Sequence, residues 1–246
     1  MADTPADLVE RPAAGRVFEG LRKVRIGDVD PRGRMRLDAA VRFLQDLSAD
    51  DTADAALPDA EAWVVRRTTI EVHRFPRYLE GLALATWCSG TGSHWAERRV
   101  TIVGDRGGHI EASSIWVHVD LASGRPSRIP AGFDEIYGEA AGGRRVKARL
   151  VHHDPGPDAQ RQPWVIRHTD LDVLDHVNNA AYWEAVEEAR AADGTLHAPL
   201  RVEVEHHNAL EHGDAAELVT TNEGDALHVW VTGPRGVGAS AVLRPR

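Results

Sequence analysis

The sequence predicts an α+β fold in which one unit, a polar turn leading into a long helix and then a run of antiparallel strands, occurs twice. Three observations carry this. The stretch Asp170-Leu171-Asp172-Val173-Leu174-Asp175-His176-Val177-Asn178-Asn179-Ala180-Ala181-Tyr182 has a degraded echo in Asp28-Val29-Asp30-Pro31-Arg32-Gly33-Arg34-Met35-Arg36-Leu37-Asp38, offset by 142 residues when Asp30 is set against Asp172. Apolar residues recur at three- and four-residue steps directly after each turn, the signature of an amphipathic helix. Each helix is then followed by short runs rich in Val, Ile, Thr and Trp separated by Gly or Asp, which read as strands.

Taken in order, residues 1–16 are rich in Ala, Pro, Asp and Glu and read as a disordered leader. The first copy starts near Val17. Leu37, Ala40, Val41, Leu44 and Leu47 mark a helix from Leu37 to about Ala49, closed by Asp50-Asp51 and Pro58. Strands are expected at Trp63 to His73, Leu82 to Ser89, Trp95 to Val103 and Gly108 to Leu121. Residues 122–163, rich in Gly, Pro and Arg, read as a linker that wraps the outside. In the second copy Ala180, Trp183, Val186 and Ala189 share one face of a helix from Asn179 to Ala192, which Gly194 ends. Strands follow at Leu200 to His206, Ala215 to Thr221, Ala226 to Thr232 and Gly238 to Leu243. Ile70-Glu71-Val72 up to Gly81 resembles Val202-Glu203-Val204 up to Gly213 at an offset of 132, so the first copy has the longer helix-to-sheet connection. The expected organisation is a repeat over 17–121, a linker over 122–163 and a second repeat over 164–246. If one continuous sheet wraps both helices, the repeats are not separable domains.

Composition narrows the function. At 42% hydrophobic and 27% charged, the chain is an ordinary globular protein. Its net charge of −9 argues against nucleic acid, whose binders neutralise phosphates. No run approaches the roughly 20 apolar residues that span a bilayer, and the start lacks a signal peptide, so a cytoplasmic protein without membrane attachment is expected. The single cysteine, Cys88, excludes an internal disulfide framework and sits in an apolar strand-like run, where a buried thiol is expected. His152-His153 and His206-His207 are adjacent pairs whose side chains point to opposite faces of a strand, so no metal site and no cofactor is expected from them. Seven tryptophans point to a large apolar interior.

The second turn keeps what the first has lost: Arg34 stands where the second copy has His176, and Arg36 where it has Asn178. A duplicated module that retains a polar constellation in one copy is expected to use that copy for chemistry. Asp172 can take a proton from water as a general base or attack a carbonyl carbon directly. The backbone N–H groups opening the Asn179 helix present the positive end of a helix dipole to a developing oxyanion. His176 can orient the water or bond the carbonyl. Asn178 is a third catalytic candidate, with Asn179 and Tyr182 as candidates for substrate contact; helix capping and packing are the other readings of these three. Because Asp30 is also kept, the Asp-x-Asp step can be partly turn architecture.

These residues resemble the hotdog-fold thioesterases, and the whole chain looks like an acyl-(acyl-carrier-protein) thioesterase with two hotdog repeats. Leu37-Asp38-Ala39-Ala40-Val41-Arg42-Phe43-Leu44-Gln45-Asp46 is similar to the family's first helix with its Leu-Gln-Glu/Asp step. Trp63-Val64-Val65-Arg66-Arg67 through Arg74-Phe75-Pro76-Arg77 resembles the strand and turn after it, and the Asp170 to Tyr182 motif matches a signature at fixed spacing. The chain departs from plant-type members at Leu174, where they carry Asn, and at Ala209, near where they carry Glu; a two-residue shift would bring in Glu211. The form Asp172-x-x-x-His176-Val177-Asn178-Asn179 is closer to small bacterial hotdog thioesterases, in which the Asp is the principal catalytic group.

The resemblance implies a tandem, or double, hotdog: two long helices wrapped by a shared antiparallel sheet. It implies hydrolysis of a fatty acyl thioester on acyl carrier protein, with a CoA thioester or a non-catalytic acyl-binding protein as alternatives, and a monomer or homodimer. Carrier proteins are acidic, so basic clusters are docking candidates: Arg144, Arg145, Lys147 and Arg149 first, then Arg66-Arg67 and Arg98-Arg99.

Overall fold

The computed structural model describes residues 8–57 and 62–246; Pro58, expected to close the first helix, lies outside them. Ten strands and three helices follow in the order β1 (Phe18–Lys23), α1 (Leu37–Asp54), β2 (Trp63–Arg74), β3 (Gly81–Thr91), β4 (Trp95–Gly104), β5 (His109–His118), α2 (Phe133–Ala141), β6 (Gln160–Trp164), α3 (Asn179–Asp193), β7 (Leu200–His206), β8 (Ala216–Glu223), β9 (Ala226–Gly233) and β10 (Gly236–Pro245). All ten strands form one antiparallel sheet in the order β1-β3-β4-β5-β2-β7-β10-β9-β8-β6. Each half of that order repeats the other, reversed about the central β2–β7 pair, whose register runs from Arg67 opposite Glu205 to Val72 opposite Leu200. This is the expected double hotdog.

The central pair exists because both strands are apolar on the face turned to the helices. Ile70, Val72, Leu200, Val202 and Val204 are fully buried. They join Leu37, Ala40, Val41, Leu44 and Leu47 of α1 and Ala180, Trp183, Val186 and Ala189 of α3 in one core cluster. Burying side chains of this size stabilises by about 1.5–3 kcal/mol each. Because both helices contribute to the same core, separating the repeats would expose it. No helix among the described residues is long and apolar enough to cross a membrane.

Three expectations are corrected. α1 does not stop at Ala49 but runs to Asp54. Asp51 is 1% exposed because it faces Arg16, Arg98 and the Tyr137 hydroxyl, so it is a buried anchor on the helix rather than its end, while Asp50 is exposed and pairs with Arg22. The linker is not merely a wrap: Phe133, Tyr137 and Ala141 of α2 are buried with Cys88 and Ala96 in a second apolar cluster, and β6 already pairs with β8 from Gln160. Residues 8–16 of the expected disordered leader are tied down, with the Val9 carbonyl accepting from Arg99 Nε at 3.0 Å and Arg16 bonding Asp51 at 2.7 Å.

Candidate functional site

The turn ahead of α3 is built by its own polar groups. Asp170, 5% exposed, accepts from Arg167 N at 2.8 Å and pairs with that arginine's guanidinium, and its carbonyl takes Asn178 N at 2.7 Å. Asp170 therefore holds the turn and has no free oxygen facing a substrate. Asp172 N donates to the His176 carbonyl at 2.9 Å, Asp175 N to the Asp172 carbonyl at 3.0 Å, and Leu174 N to Asp172 Oδ1 at 2.9 Å. Asp175 sits at φ +61°, a left-handed conformation that aspartate adopts more readily than most non-glycine residues.

The first copy makes the same loop with three corresponding bonds, and adds one from Arg34 N to Asp30 Oδ1 at 2.9 Å. Asp30 N reaches the Arg34 carbonyl, Gly33 N the Asp30 carbonyl, and Arg32 N Asp30 Oδ1, with Gly33 at φ +73° where the second copy has Asp175. The Asp-x-Asp step is thus turn architecture in both copies, and one carboxylate oxygen belongs to it. The second oxygen differs. Asp30 Oδ2 is taken by Arg34 Nε at 2.9 Å, whereas His176 at the equivalent position makes no side-chain hydrogen bond and leaves Asp172 Oδ2 open among the described residues.

Asp172 borders a cavity of about 410 Å³, within the range of small-molecule sites. Asp172, Val173, Asn178 and Asn179 form one side. Every other wall comes from the first repeat and the segment after it: Gln45, Ser48 and Thr52 of α1, Trp63, Cys88, Ala96 and Trp116 of the sheet, and Phe133 of α2. The lining is mostly apolar. Burial pushes the Cys88 thiol up to about 11, so it is a neutral wall residue and not a nucleophile.

The start of α3 supplies the donors. Asn178 is its N-cap, with Oδ1 accepting Ala180 N at 2.8 Å, and Ala181 N bonds the Asn178 carbonyl. Asn179 N–H is the remaining donor of that first turn. The first copy shows what such a donor takes: Leu37 N, the equivalent position, donates to Glu187 Oε2 at 3.1 Å. A helix-opening N–H at this position can thus hold a negatively charged oxygen. The residue equivalent to Glu187, at the same offset of 142, is Gln45, which lines the cavity beside Asn179. Gln45 was not among the candidates; the internal repeat carried past the turn into the helices identifies it.

Other candidates fall elsewhere. His176 does not line the cavity, and its carbonyl, not its ring, closes the loop. Tyr182 is 4% exposed and its hydroxyl accepts from Leu210 N at 3.3 Å, with burial pushing its pKa to about 12; it is a packing residue, because that helix face turns to β7 rather than to the cavity. Glu211 pairs with Arg235 at 2.9 Å and does not reach the site. Arg144 is spent on the Ser89 carbonyl and Glu97, and Arg145 bonds Thr91 Oγ1 at 3.2 Å; these two hold the connecting segment against the β3–β4 hairpin. Arg144, Arg145 and Lys147 line a groove of about 580 Å³, while Arg149 lies outside it. Arg98 and Arg99 are consumed by Asp51 and Glu111. His206 is buried beneath Gln45, Asn179 and Trp183 with neither ring nitrogen bonded, and desolvation lowers its pKa to about 3. Two groups have metal-ligand donors close together, His152–Glu203–Glu205 and His153–Glu223–His228, and neither borders the cavity.

Comparison with known proteins agrees with this architecture. Residues 15–137 match the acyl-ACP thioesterase N-terminal domain and residues 155–232 its C-terminal domain. An uncharacterized protein of Mycobacterium tuberculosis is 30% identical over 243 residues, covering 98% of this chain and 97% of that protein. A chloroplast acyl-(acyl-carrier-protein) hydrolase of Cuphea viscosissima is 30% identical over 130 residues, 49% of this chain and 31% of the plant protein. The structure of a 12:0-ACP thioesterase from Umbellularia californica superposes with a TM-score of 0.78 at 20% identity, covering 95% of this chain and 98% of that one.

Proposed function

We propose, from the premise that this chain belongs to the acyl-ACP thioesterase family, that it hydrolyses fatty acyl-acyl-carrier-protein at Asp172, releasing a free fatty acid and the carrier protein. The observation that carries the reading is the unclaimed Asp172 oxygen on an apolar cavity built by the other repeat. The acyl chain lies in the cavity and its thioester carbonyl sits at the Asn179 N–H. Asp172 Oδ2 takes a proton from water as the water oxygen attacks the carbonyl carbon, or attacks that carbon itself to give a mixed anhydride. In either case the carbonyl electron pair moves to the oxygen held by Asn179 N–H, and its return expels the carrier's thiolate, which takes up the proton held by Asp172 or, in the direct route, one from water; there a second water then cleaves the mixed anhydride, releasing the fatty acid and restoring the Asp172 carboxylate. Gln45 holds the carbonyl or the water from the facing helix, Asn178 fixes the turn, and His176 shapes the loop through its backbone.

Residues 17–121 and 164–246 act as one catalytic unit, since the first, with Phe133 of the connecting segment, supplies most of the cavity wall and the second the carboxylate. One chain therefore contains a complete site, whether it works as a monomer or a homodimer. Arg145 and Lys147, on a groove outside the cavity, are the docking residues for an acidic carrier.

Single-turnover hydrolysis of palmitoyl- and octanoyl-carrier protein, beside the matching CoA esters, tests this with wild type and Asp172→Asn. The expected result is turnover of the carrier esters that falls at least ~10²-fold in the variant. A variant as fast as wild type removes Asp172 from the mechanism, and a wild type that hydrolyses none of these esters while folded removes the hydrolase reading.

A further inference from the structure

The first repeat keeps the shape of an active-site turn, and the space in front of it is not filled. At the offset of 142 residues, Gln45, Ser48, Ala49 and Thr52, which line the acyl cavity, correspond to Glu187, Arg190, Ala191 and Gly194. Those four line a second cavity, of about 730 Å³, in front of the Asp30 turn. It is the mirror of the live site, and its chemistry is reversed. Five arginines line it (Arg32, Arg34, Arg74, Arg77 and Arg190) against two carboxylates, Asp30 and Glu187.

The two carboxylates are already answered. Arg34 pairs with both, and Arg190 bonds Glu187 at 2.9 Å. Arg32, Arg74 and Arg77 are left exposed with no carboxylate partner among the described residues. The side chains of Arg32 and Arg74 make no hydrogen bond among the described residues either. A chain with net charge −9 thus gathers uncompensated positive charge on one concavity, where it raises the local concentration of anions.

We infer that this spent site binds a phosphate ester. Guanidinium forks match phosphate and carboxylate oxygens bidentately, and of the two a phosphate carries the larger charge to set against three unpaired arginines. The volume is that of a small-molecule site, which favours a small ligand over the surface of an acidic protein. The inference does not rest on the hydrolase reading, since none of these residues borders the acyl cavity.

Calorimetric titration of the full chain at low salt tests it, with pyrophosphate and adenosine 3′,5′-bisphosphate as probes, on wild type and on Arg32→Ala/Arg74→Ala. Saturable binding of either probe, weakened about 10-fold or more in the variant, is the expected result. Tighter binding of the nucleotide names a nucleotide end as the source, and equal binding names the phosphate group alone. The variant must keep the wild-type melting temperature and thioester turnover, which separates this site from the catalytic one. No saturable binding of either probe, or binding unchanged in the variant, overturns the inference. So does capture of an acidic carrier protein, lost in the variant, where both phosphates fail.

Discussion

Glu187→Ala should destabilise the protein strongly while leaving the catalytic step intact. Glu187 is 6% exposed; it accepts from Leu37 N at 3.1 Å and Arg190 Nη2 at 2.9 Å and pairs with Arg34. The side chains of Arg34 and Arg190 are only 13% and 9% exposed, so removing their shared carboxylate strands buried charge. Breaking a buried pair in this way costs about 3–5 kcal/mol. Arg34 keeps Asp30 and Arg190 keeps the Leu196 carbonyl, which places the loss toward the lower end. With an unfolding entropy of about 2.1 cal/mol/K per residue, such a loss lowers the melting temperature by roughly 6–10 °C. The assay is urea unfolding of wild type, Glu187→Ala and Glu187→Gln, with kcat measured on the same preparations at a temperature where all three are folded. Glu187→Gln keeps an acceptor for Leu37 N and should lose about half as much. A loss below about 1 kcal/mol in Glu187→Ala, or a tenfold fall in kcat with the fold intact, would refute the assignment of Glu187 to structure in a spent site.

Acid should weaken the fold through His206, whose ring is buried neutral with a pKa lowered to about 3, chiefly by desolvation and then by His207 and Arg66. The unfolded chain protonates this histidine near pH 6.5, so its contribution is whole above that value and is lost as pH falls toward 3, about 3 kcal/mol between pH 7 and pH 4. His206→Leu should flatten that part of the stability–pH curve in urea titrations, and parallel curves would remove His206 as the cause. Gln45→Leu should lower kcat on the order of 10²-fold if its amide serves the oxyanion or the water, with a melting temperature within about 2 °C of wild type; unchanged single-turnover rates would leave Gln45 a wall residue. Asn178→Ala removes the cap on Ala180 N and should cost about 1 kcal/mol, read by thermal unfolding. A variant as stable as wild type would show that the turn holds without it.

The fold was legible because its signals are local. Apolar residues at helical spacing put α1 and α3 in place, alternation and Gly or Asp breaks marked eight of the ten strands, and the repeated turn announced the duplication. Asp172, Asn178 and Asn179 could be singled out for the same reason, since a turn before a helix is written in consecutive residues. What the chain could not show locally was how long-range partners spend each polar group. Asp51 looked like a helix end until Arg98 and Tyr137, far along the chain, were placed against it. Arg144 looked available until Glu97 claimed it, and Tyr182 looked like a site residue until the Leu210 N–H met its hydroxyl. Asp30 and Asp172 are the sharpest case. Their backbone loops are the same, and the sequence by itself determined both, together with the arginine four residues on that closes Asp30; only the tertiary structure decided that one carboxylate faces a cationic groove and the other an apolar cavity. Reactivity depends on which charges, donors and solvent-excluding walls surround a group, and those arrive from strands and helices tens of residues away.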